Sequence, residues 1–342
     1  LAHAARAAQP QTSNTDASPA DLRGRLVLVE GEAGIGKSRL LAELVWQLAR
    51  RDEPAYTILQ GVCHEAERSL PYHPIVDALN SLLPTLDAPT LPVADIWLAE
   101  VARIVPDILD TRPGILTPRQ DTVQDHRRLF EGVTRLLAAL PAPVLFVLDD
   151  LQWADEATAR LLAYLVRHLD DHPILFVAAL QTDDVDDGLK TTLWHLEREG
   201  RLSRVTLGRL SPTAMTSLIE KMAGPQDRVE RLGAWLYRES AGNPLFSVEI
   251  VRSLMEAGSL LDELGDSRLP ANPIKLTLPP SIVAVIGARL ARVTPSAREL
   301  LAAASVFRRA FEFDLAQAVS GQNEDTALDA LDELLQAHLL VE

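Results

Sequence analysis

The chain is poor in cysteine and lacks long apolar runs. Cys63 is the only cysteine among 342 residues, which excludes an intramolecular disulfide and fits a reducing compartment. No apolar run approaches the roughly 20 residues that a membrane-spanning helix needs. The start of the chain has neither an initiator Met nor a signal-peptide pattern. We therefore expect a cytoplasmic segment, cut from something longer, without a membrane partner.

Basic residues are also in deficit. The chain has 33 Lys and Arg against 48 Asp and Glu, a formal net charge of −15, which opposes adhesion of this segment to nucleic acid or to anionic membranes. A hydrophobic fraction of 47% and a charged fraction of 24% are ordinary for a globular protein. The length allows two or three domains with cores of their own.

A complete G-x-x-x-x-G-K-[ST] pattern occupies residues 31–38. An apolar run at 26–29 precedes it and apolar residues at helical spacing follow it over 40–48, which is the strand–loop–helix context of a phosphate-binding loop. Glycines let the backbone wrap a pyrophosphate, and the helix N-terminus adds anion affinity. The alternative is a chance glycine-rich turn. The residues predicted to contact nucleotide here are Gly31, Ala33, Gly34, Ile35, Gly36, Lys37, Ser38 and Arg39.

A second motif consists of five apolar residues at 144–148 followed by Asp149 and Asp150. This pattern predicts a buried strand with acids at its carboxyl end, where open α/β sheets place their ligands. We predict that Ser38 and Asp149 hold Mg²⁺, and that Lys37 and Asp150 are catalytic, Lys37 on the phosphates and Asp150 on the attacking water. Two adjacent acids can also mark a solvated turn, but the phosphate loop upstream favours the catalytic interpretation.

Further strands are predicted at 56–61, 174–180 and 204–207, with helices between them, including a short helix at 193–199. The alternation predicts an α/β fold with a doubly wound parallel sheet. Gln181 follows the strand at 174–180 and is predicted to face the γ-phosphate. Beyond the sheet we expect helices only, including one at 282–292, until a strand begins at 339–341.

Cys63, His64 and Glu65 are residue types that bind metals, and they are adjacent in the sequence. A metal site would need a second Cys or His pair at ligand spacing, and the sequence has none. We therefore interpret Cys63 as a buried structural thiol.

Three segments carry a family resemblance: 29–41 with the phosphate loop, 148–155 with the sequence Leu-Asp-Asp-Leu-Gln-Trp-Ala-Asp, and 239–246 with Glu-Ser-Ala-Gly-Asn-Pro-Leu-Phe. Together they resemble the STAND-class, AAA+-related P-loop ATPase modules of bacterial LuxR- and MalT-like regulators and of cyclase-associated ATPases. The resemblance implies a parallel sheet sandwiched by helices, then an α-helical lid and a winged-helix domain. The implied domains are a flexible linker or remnant helix at 1–20, a nucleotide-binding domain at 21–208, a lid at 209–277 and a truncated winged helix at 278–342.

The resemblance also assigns roles to individual residues. Gly242-Asn243-Pro244 matches an element whose proline packs near the nucleotide, although a proline at the first turn of a helix is expected in any case. Gln181 stands where many relatives carry an arginine that senses the γ-phosphate, which implies weak or absent hydrolysis because a neutral amide stabilises charge less than a guanidinium does. Trp153 and Asp155 are expected to be structural.

The implied function is that of a switch that binds ATP or ADP, with Mg²⁺, and hydrolyses ATP slowly or not at all. Its expected partners are sensor and output domains of the same protein, and self-association is allowed when ATP is bound. The alternative is an Orc/Cdc6-like AAA+ ATPase that contacts DNA through its winged helix. Residues 321–342 hold several acids and no Lys or Arg, which disfavours direct nucleic-acid contact. A P-loop kinase for a small molecule is a third class, and no sequence feature points to it.

Overall fold

The structure of the chain is a computed structural model that describes residues 25–50, 55–83, 92–111, 114–115, 124–141, 143–182, 185–223, 229–256, 283, 286–287, 290–291, 293–307, 311–337 and 339–340. The predicted linker at 1–20 lies outside these residues. The chain divides into two compact units, Leu1–Arg209 and Leu210–Glu342. Among the described helices, none combines the length and the apolar character needed to cross a membrane.

The first unit is built on a five-stranded sheet with the order β2-β3-β4-β1-β5, in which every pairing is parallel. β4 therefore separates the strand that leads into the phosphate loop from the strand that ends in Asp149. In a parallel sheet all carboxyl ends lie at one edge, so the ends of β1, β4 and β3 are neighbours there. The strands are β1 (Arg25–Gly31), β2 (Thr57–Val62), β3 (Val144–Asp149), β4 (Ile174–Gln181) and β5 (Leu202–Thr206).

Both faces of the sheet are covered, as the apolar strands require. Along β4, Phe176 and Ala178 belong to the larger buried cluster on one face, and Val177 and Ala179 to the cluster on the other. The alternation follows from the two-residue period of a strand. The second cluster includes Leu41 of the helix that follows the phosphate loop, so this helix covers one face of the sheet.

Helices α1 to α7 connect the strands of this unit. Their positions agree with the predicted alternation, but α7 begins well before the predicted start at 193, because Asp186 caps it by accepting a hydrogen bond from the Leu189 N–H at 2.8 Å. An Asp N-cap is a sequence signal that this prediction overlooked. The helices are α1 (Lys37–Ala49), α2 (His73–Asn80), α3 (Asp95–Val101), α4 (Ile108–Thr111), α5 (Gln124–Ala138), α6 (Glu156–His168) and α7 (Asp187–Arg198).

The described residues of the second unit form helices and no strand. The expected strand at 339–341 is wrong for Leu339 and Leu340, whose N–H groups turn back to the Leu334 carbonyl at 3.0 and 3.3 Å. Most of a helix predicted at 282–292 lies outside the described residues. The lid and the winged helix remain predictions. The helices are α8 (Pro212–Ala223), α9 (Val229–Ser240), α10 (Pro244–Glu256), α11 (Pro295–Ser305), α12 (Phe313–Ser320) and α13 (Glu324–Gln336).

Candidate nucleotide-binding site

The phosphate loop joins β1 directly to α1. Gly34 and Gly36 have φ angles of 77° and 104°, a region that side chains with a Cβ rarely adopt, so the glycines of the motif are required by the backbone itself. A Cβ on Gly31 would lie 2.8 Å from the Leu207 carbonyl oxygen, so β1 and the segment after β5 pack too closely there for a larger residue. Ile35 anchors the loop with a buried side chain.

The N-terminus of α1 is suited to an anion. No side chain caps this helix and its first turn has no acid, whereas α6 and α7 both begin with a capping aspartate. The first N–H groups of a helix have no intrahelical acceptor and carry a partial positive charge. At α1 these groups follow the glycine loop, which is the arrangement that binds phosphate.

Lys37 is the first residue of α1, and its side chain is buried with 7% of its surface exposed. Its ammonium donates hydrogen bonds to the Gly31 carbonyl at 3.0 Å and the Glu32 carbonyl at 2.9 Å. Both acceptors belong to the loop, so the lysine is held beside the backbone that it is predicted to serve. Ala33 also lies in the loop, half-buried, and the Arg39 side chain is exposed.

Ser38 and Asp149 are brought together although they are far apart in sequence. The Ser38 hydroxyl and the Lys37 ammonium both act on the Asp149 carboxylate. Burial raises the pKa of Asp149 above its usual value and the Asp150 charge adds to the rise, whereas the Ser38 hydroxyl and the charge of Lys37 lower it. A hydroxyl and a carboxylate are the oxygen ligands that Mg²⁺ prefers, so this pair fits the predicted metal.

Asp150 and Gln181 are linked through Gln152, a residue that the sequence interpretation did not single out. The Gln152 side-chain amide donates to Asp150 Oδ1 at 3.0 Å, and its carbonyl oxygen accepts from the Gln181 backbone N–H at 2.9 Å. Gln181 pairs in register with Gly31, so it lies at the start of the phosphate loop. The predicted base and the residue predicted to face the γ-phosphate are thereby tied together at one edge of the sheet.

Glu32 is a second residue of the site that the sequence did not identify. Its carboxylate is 8% exposed and makes a two-fold ion pair with Arg209, whose Nε and Nη2 lie 2.8 and 3.1 Å from its two oxygens. Arg209 is the last residue of the first unit. The ion pair therefore joins the phosphate loop to the point at which the chain enters the second unit. The sequence signal was an acid inside the phosphate-loop motif.

Cys63, Trp153 and Asp155 have structural positions. Asp155 caps α6 by accepting from the Thr158 N–H at 2.9 Å, and it also accepts from the Tyr72 N–H at 3.2 Å. Trp153 packs against the larger buried cluster of the sheet. Cys63 is buried just after the end of β2, close to the aspartates at the carboxyl ends of the strands.

Pro244 opens α10 in the second unit. Asn243 before it is buried and accepts a hydrogen bond from the Leu245 N–H at 3.0 Å, which caps the helix. Ser240 and Ser247 complete a buried polar turn, with their hydroxyls 2.8 Å apart. The capping explanation of Asn243-Pro244 is therefore satisfied by geometry, and contact of Pro244 with a nucleotide remains a prediction.

A glycine loop between an inner parallel strand and a helix, a lysine held on that loop and an acid-tipped strand two positions away in the sheet define an α/β P-loop nucleotide-binding domain. Residues 16–177 match the family model of the AAA ATPase domain. Over this part of the chain the sequence is therefore similar to AAA ATPase domains.

Comparison with curated proteins gives no match. Among solved structures, a STAND protein with a tetratricopeptide repeat sensor from Pyrococcus horikoshii is similar at 15% identity and a TM-score of 0.36, over 90% of this chain and 36% of that one. Drosophila ORC bound to DNA is similar at 12% identity and a TM-score of 0.39, over 94% and 83% of the two chains. Drosophila ORC bound to GC-rich DNA and Cdc6 gives 13% identity and a TM-score of 0.29, over 93% and 79%. The chain thus spans about a third of the STAND protein.

Proposed function

We propose that this chain is a regulatory ATP/ADP switch module with slow hydrolysis, part of a larger bacterial signal-transduction or transcription regulator. The observation that carries the proposal is the Lys37–Glu32–Arg209 connection. Lys37 donates to the Glu32 carbonyl, and the Glu32 carboxylate binds Arg209, the last residue of the first unit before the chain continues into the second. A shift of the loop on nucleotide exchange would act on this partly buried ion pair, in which the buried Glu32 carboxylate depends on its alignment with Arg209.

The positions of the site residues support one role for each in this proposal. Lys37 and the N–H groups of α1 bind the phosphates, and Ser38 and Asp149 would hold Mg²⁺. When bound, Mg²⁺ neutralises charge on the β- and γ-phosphates. Asp150 orients water and accepts its proton as the water oxygen bonds to the γ-phosphorus and the bond to the ADP oxygen breaks.

Slow hydrolysis is proposed because of Gln181. This residue ends the strand beside Gly31, where its neutral side chain can donate a hydrogen bond but brings no positive charge. Hydrogen bonds from charged donors are roughly twice as strong as neutral ones, so charge developing on the γ-phosphate gains less stabilisation here. Long-lived nucleotide states are what a switch requires.

The test is to denature the purified protein and to identify and count the nucleotide that it releases by chromatography. We expect about one ADP per chain, since a switch at rest retains its product. Release of no nucleotide, together with no binding of added Mg²⁺-ADP or Mg²⁺-ATP, would refute the proposal.

A DNA-binding role predicts a different result. Asp325, Asp329 and Asp332 are exposed on α13, and an acidic helix repels phosphate. We therefore expect no binding of duplex DNA at low salt. Binding that weakens steeply with added salt would support the DNA-contacting alternative instead.

A further inference from the structure

Gln152 lies in the 3₁₀ turn that follows β3, with 2% of its surface exposed. Both ends of its side-chain amide are used: the NH₂ donates to Asp150 Oδ1 and the oxygen accepts from the Gln181 N–H. A buried amide with both ends paired is fixed in orientation, because each alternative would leave a buried polar group without a partner. Gln152 therefore holds the Asp150 carboxylate and the Gln181 N–H in fixed positions relative to each other.

Asp150 needs such a support. Its backbone is left-handed, with φ 52° and ψ 44°, and its N–H donates to the Asp149 carboxylate at 2.9 Å. Asp150 lies beyond the end of β3, so the sheet pairing does not align it. The Gln152 amide supplies a fixed donor to Oδ1 of this carboxylate, and Oδ2 is the oxygen that would accept from a substrate water.

The other end of Gln152 is attached to the strand beside the phosphate loop. Gln181 pairs with Gly31 in the β1–β4 ladder, so the Gln181 N–H has a fixed position relative to the loop. Through this one amide the position of the Asp150 carboxylate is fixed relative to the proposed phosphate-binding loop. A shift of about 1 Å in such a group can cost on the order of a hundredfold in rate.

We infer that Gln152 is a positioning residue for ATP hydrolysis, which holds the Asp150 carboxylate in register with the γ-phosphate through Gln181. The inference rests on the proposed function, because it assigns a role in the hydrolysis that the switch performs. It predicts that Gln152 affects the rate of turnover and not the affinity for nucleotide.

Two variants separate this role from simple packing. Gln152→Glu keeps the oxygen that accepts from Gln181 and replaces only the donor to Asp150, and Gln152→Met fills a similar volume with neither group. Gln47→Glu is the matched control, since Gln47 is an exposed glutamine on α1 and the change adds the same charge. Single-turnover hydrolysis of ATP, ADP affinity and the melting temperature are measured for each.

We expect single-turnover hydrolysis to fall about 10- to 100-fold in both Gln152 variants, with ADP affinity within about threefold of wild type. The control should match wild type. In an Asp150→Asn background, Gln152→Met should add less than about twofold, because residues that act through one another are not additive.

The contrary outcomes are distinct. If turnover and ADP affinity fall in parallel, or if turnover is unchanged, Gln152 is structural and the inference is wrong. If the wild-type protein binds nucleotide but hydrolyses no ATP, the inference is overturned while the proposed switch stands. If the wild-type protein binds no nucleotide, the proposed function itself fails.

Discussion

The pKa of Cys63 shows how burial and nearby aspartates act on a side chain at the carboxyl end of the sheet. Burial raises its pKa to about 12, and the charges of Asp150, Asp155 and Asp149 add to the rise. The thiol therefore stays protonated where an ordinary cysteine, with a pKa near 8.5, ionises. Because the folded state holds this proton more tightly than the unfolded state, the cysteine costs stability as the pH rises above the unfolded pKa.

The resulting prediction compares the wild type with Cys63→Ala. The stability advantage of the wild type should shrink between about pH 8.5 and pH 12, by up to about 1.4 kcal/mol per pH unit, and should be constant below pH 8. Urea unfolding of both proteins from pH 7 to pH 10.5 measures the difference, and the other titrating groups cancel in it. A difference that does not vary with pH would show that the folded thiol ionises normally.

At the scale of elements, α2 and β2 approach closely at Gly61. A Cβ at Gly61 would lie 1.9 Å from the carbonyl oxygen of Pro74, which is backbone and cannot swing aside. Gly61→Ala should therefore destabilise the protein by about 3 kcal/mol or more, because the helix must shift from the sheet. Thermal or urea unfolding measures this loss.

Gly208→Ala is the control for that change, since nothing lies within 4 Å of a Cβ at Gly208. It should alter stability by less than about 0.5 kcal/mol. Equal effects of the two substitutions would mean that α2 does not pack on β2 as described.

The strands could be predicted because three mostly apolar runs and two shorter strand patterns, in alternation with helices, leave few alternatives to a parallel sheet. The order of the strands in the sheet could not be predicted from the apolar runs alone. This order places β4 between β1 and β3, and it therefore brings Gln181 beside Gly31. The motif residues of the site carry their own sequence signals. Gln152 and Glu32 became visible only through their partners, which lie 29 and 177 positions away in the sequence.

At the scale of the whole molecule, Pro244 tests whether the second unit takes part in nucleotide binding. We expect Pro244→Ala to weaken ADP affinity about fivefold, since a lost apolar contact costs about 1 kcal/mol. Stability should change little because Asn243 still caps α10. Calorimetric titration with Mg²⁺-ADP, beside a melting curve, gives both quantities.

Pro295→Ala is the matched control, because Pro295 also lies at the first turn of a helix that its preceding residue caps. Its ADP affinity should equal that of the wild type. If Pro244→Ala also leaves the affinity unchanged, Pro244 serves the helix alone.

The most direct measurement of the central claim is calorimetric titration of Mg²⁺-ADP into nucleotide-free wild-type protein and into Lys37→Ala. Lys190→Ala removes an exposed lysine and serves as the control. We predict one site in the wild type and in the control, and a loss of at least about 100-fold in affinity in Lys37→Ala, since charged hydrogen bonds to phosphates contribute about 1.5–3 kcal/mol each. Equal ADP affinity in Lys37→Ala and wild type would contradict the assignment of residues 31–38 as the phosphate-binding loop.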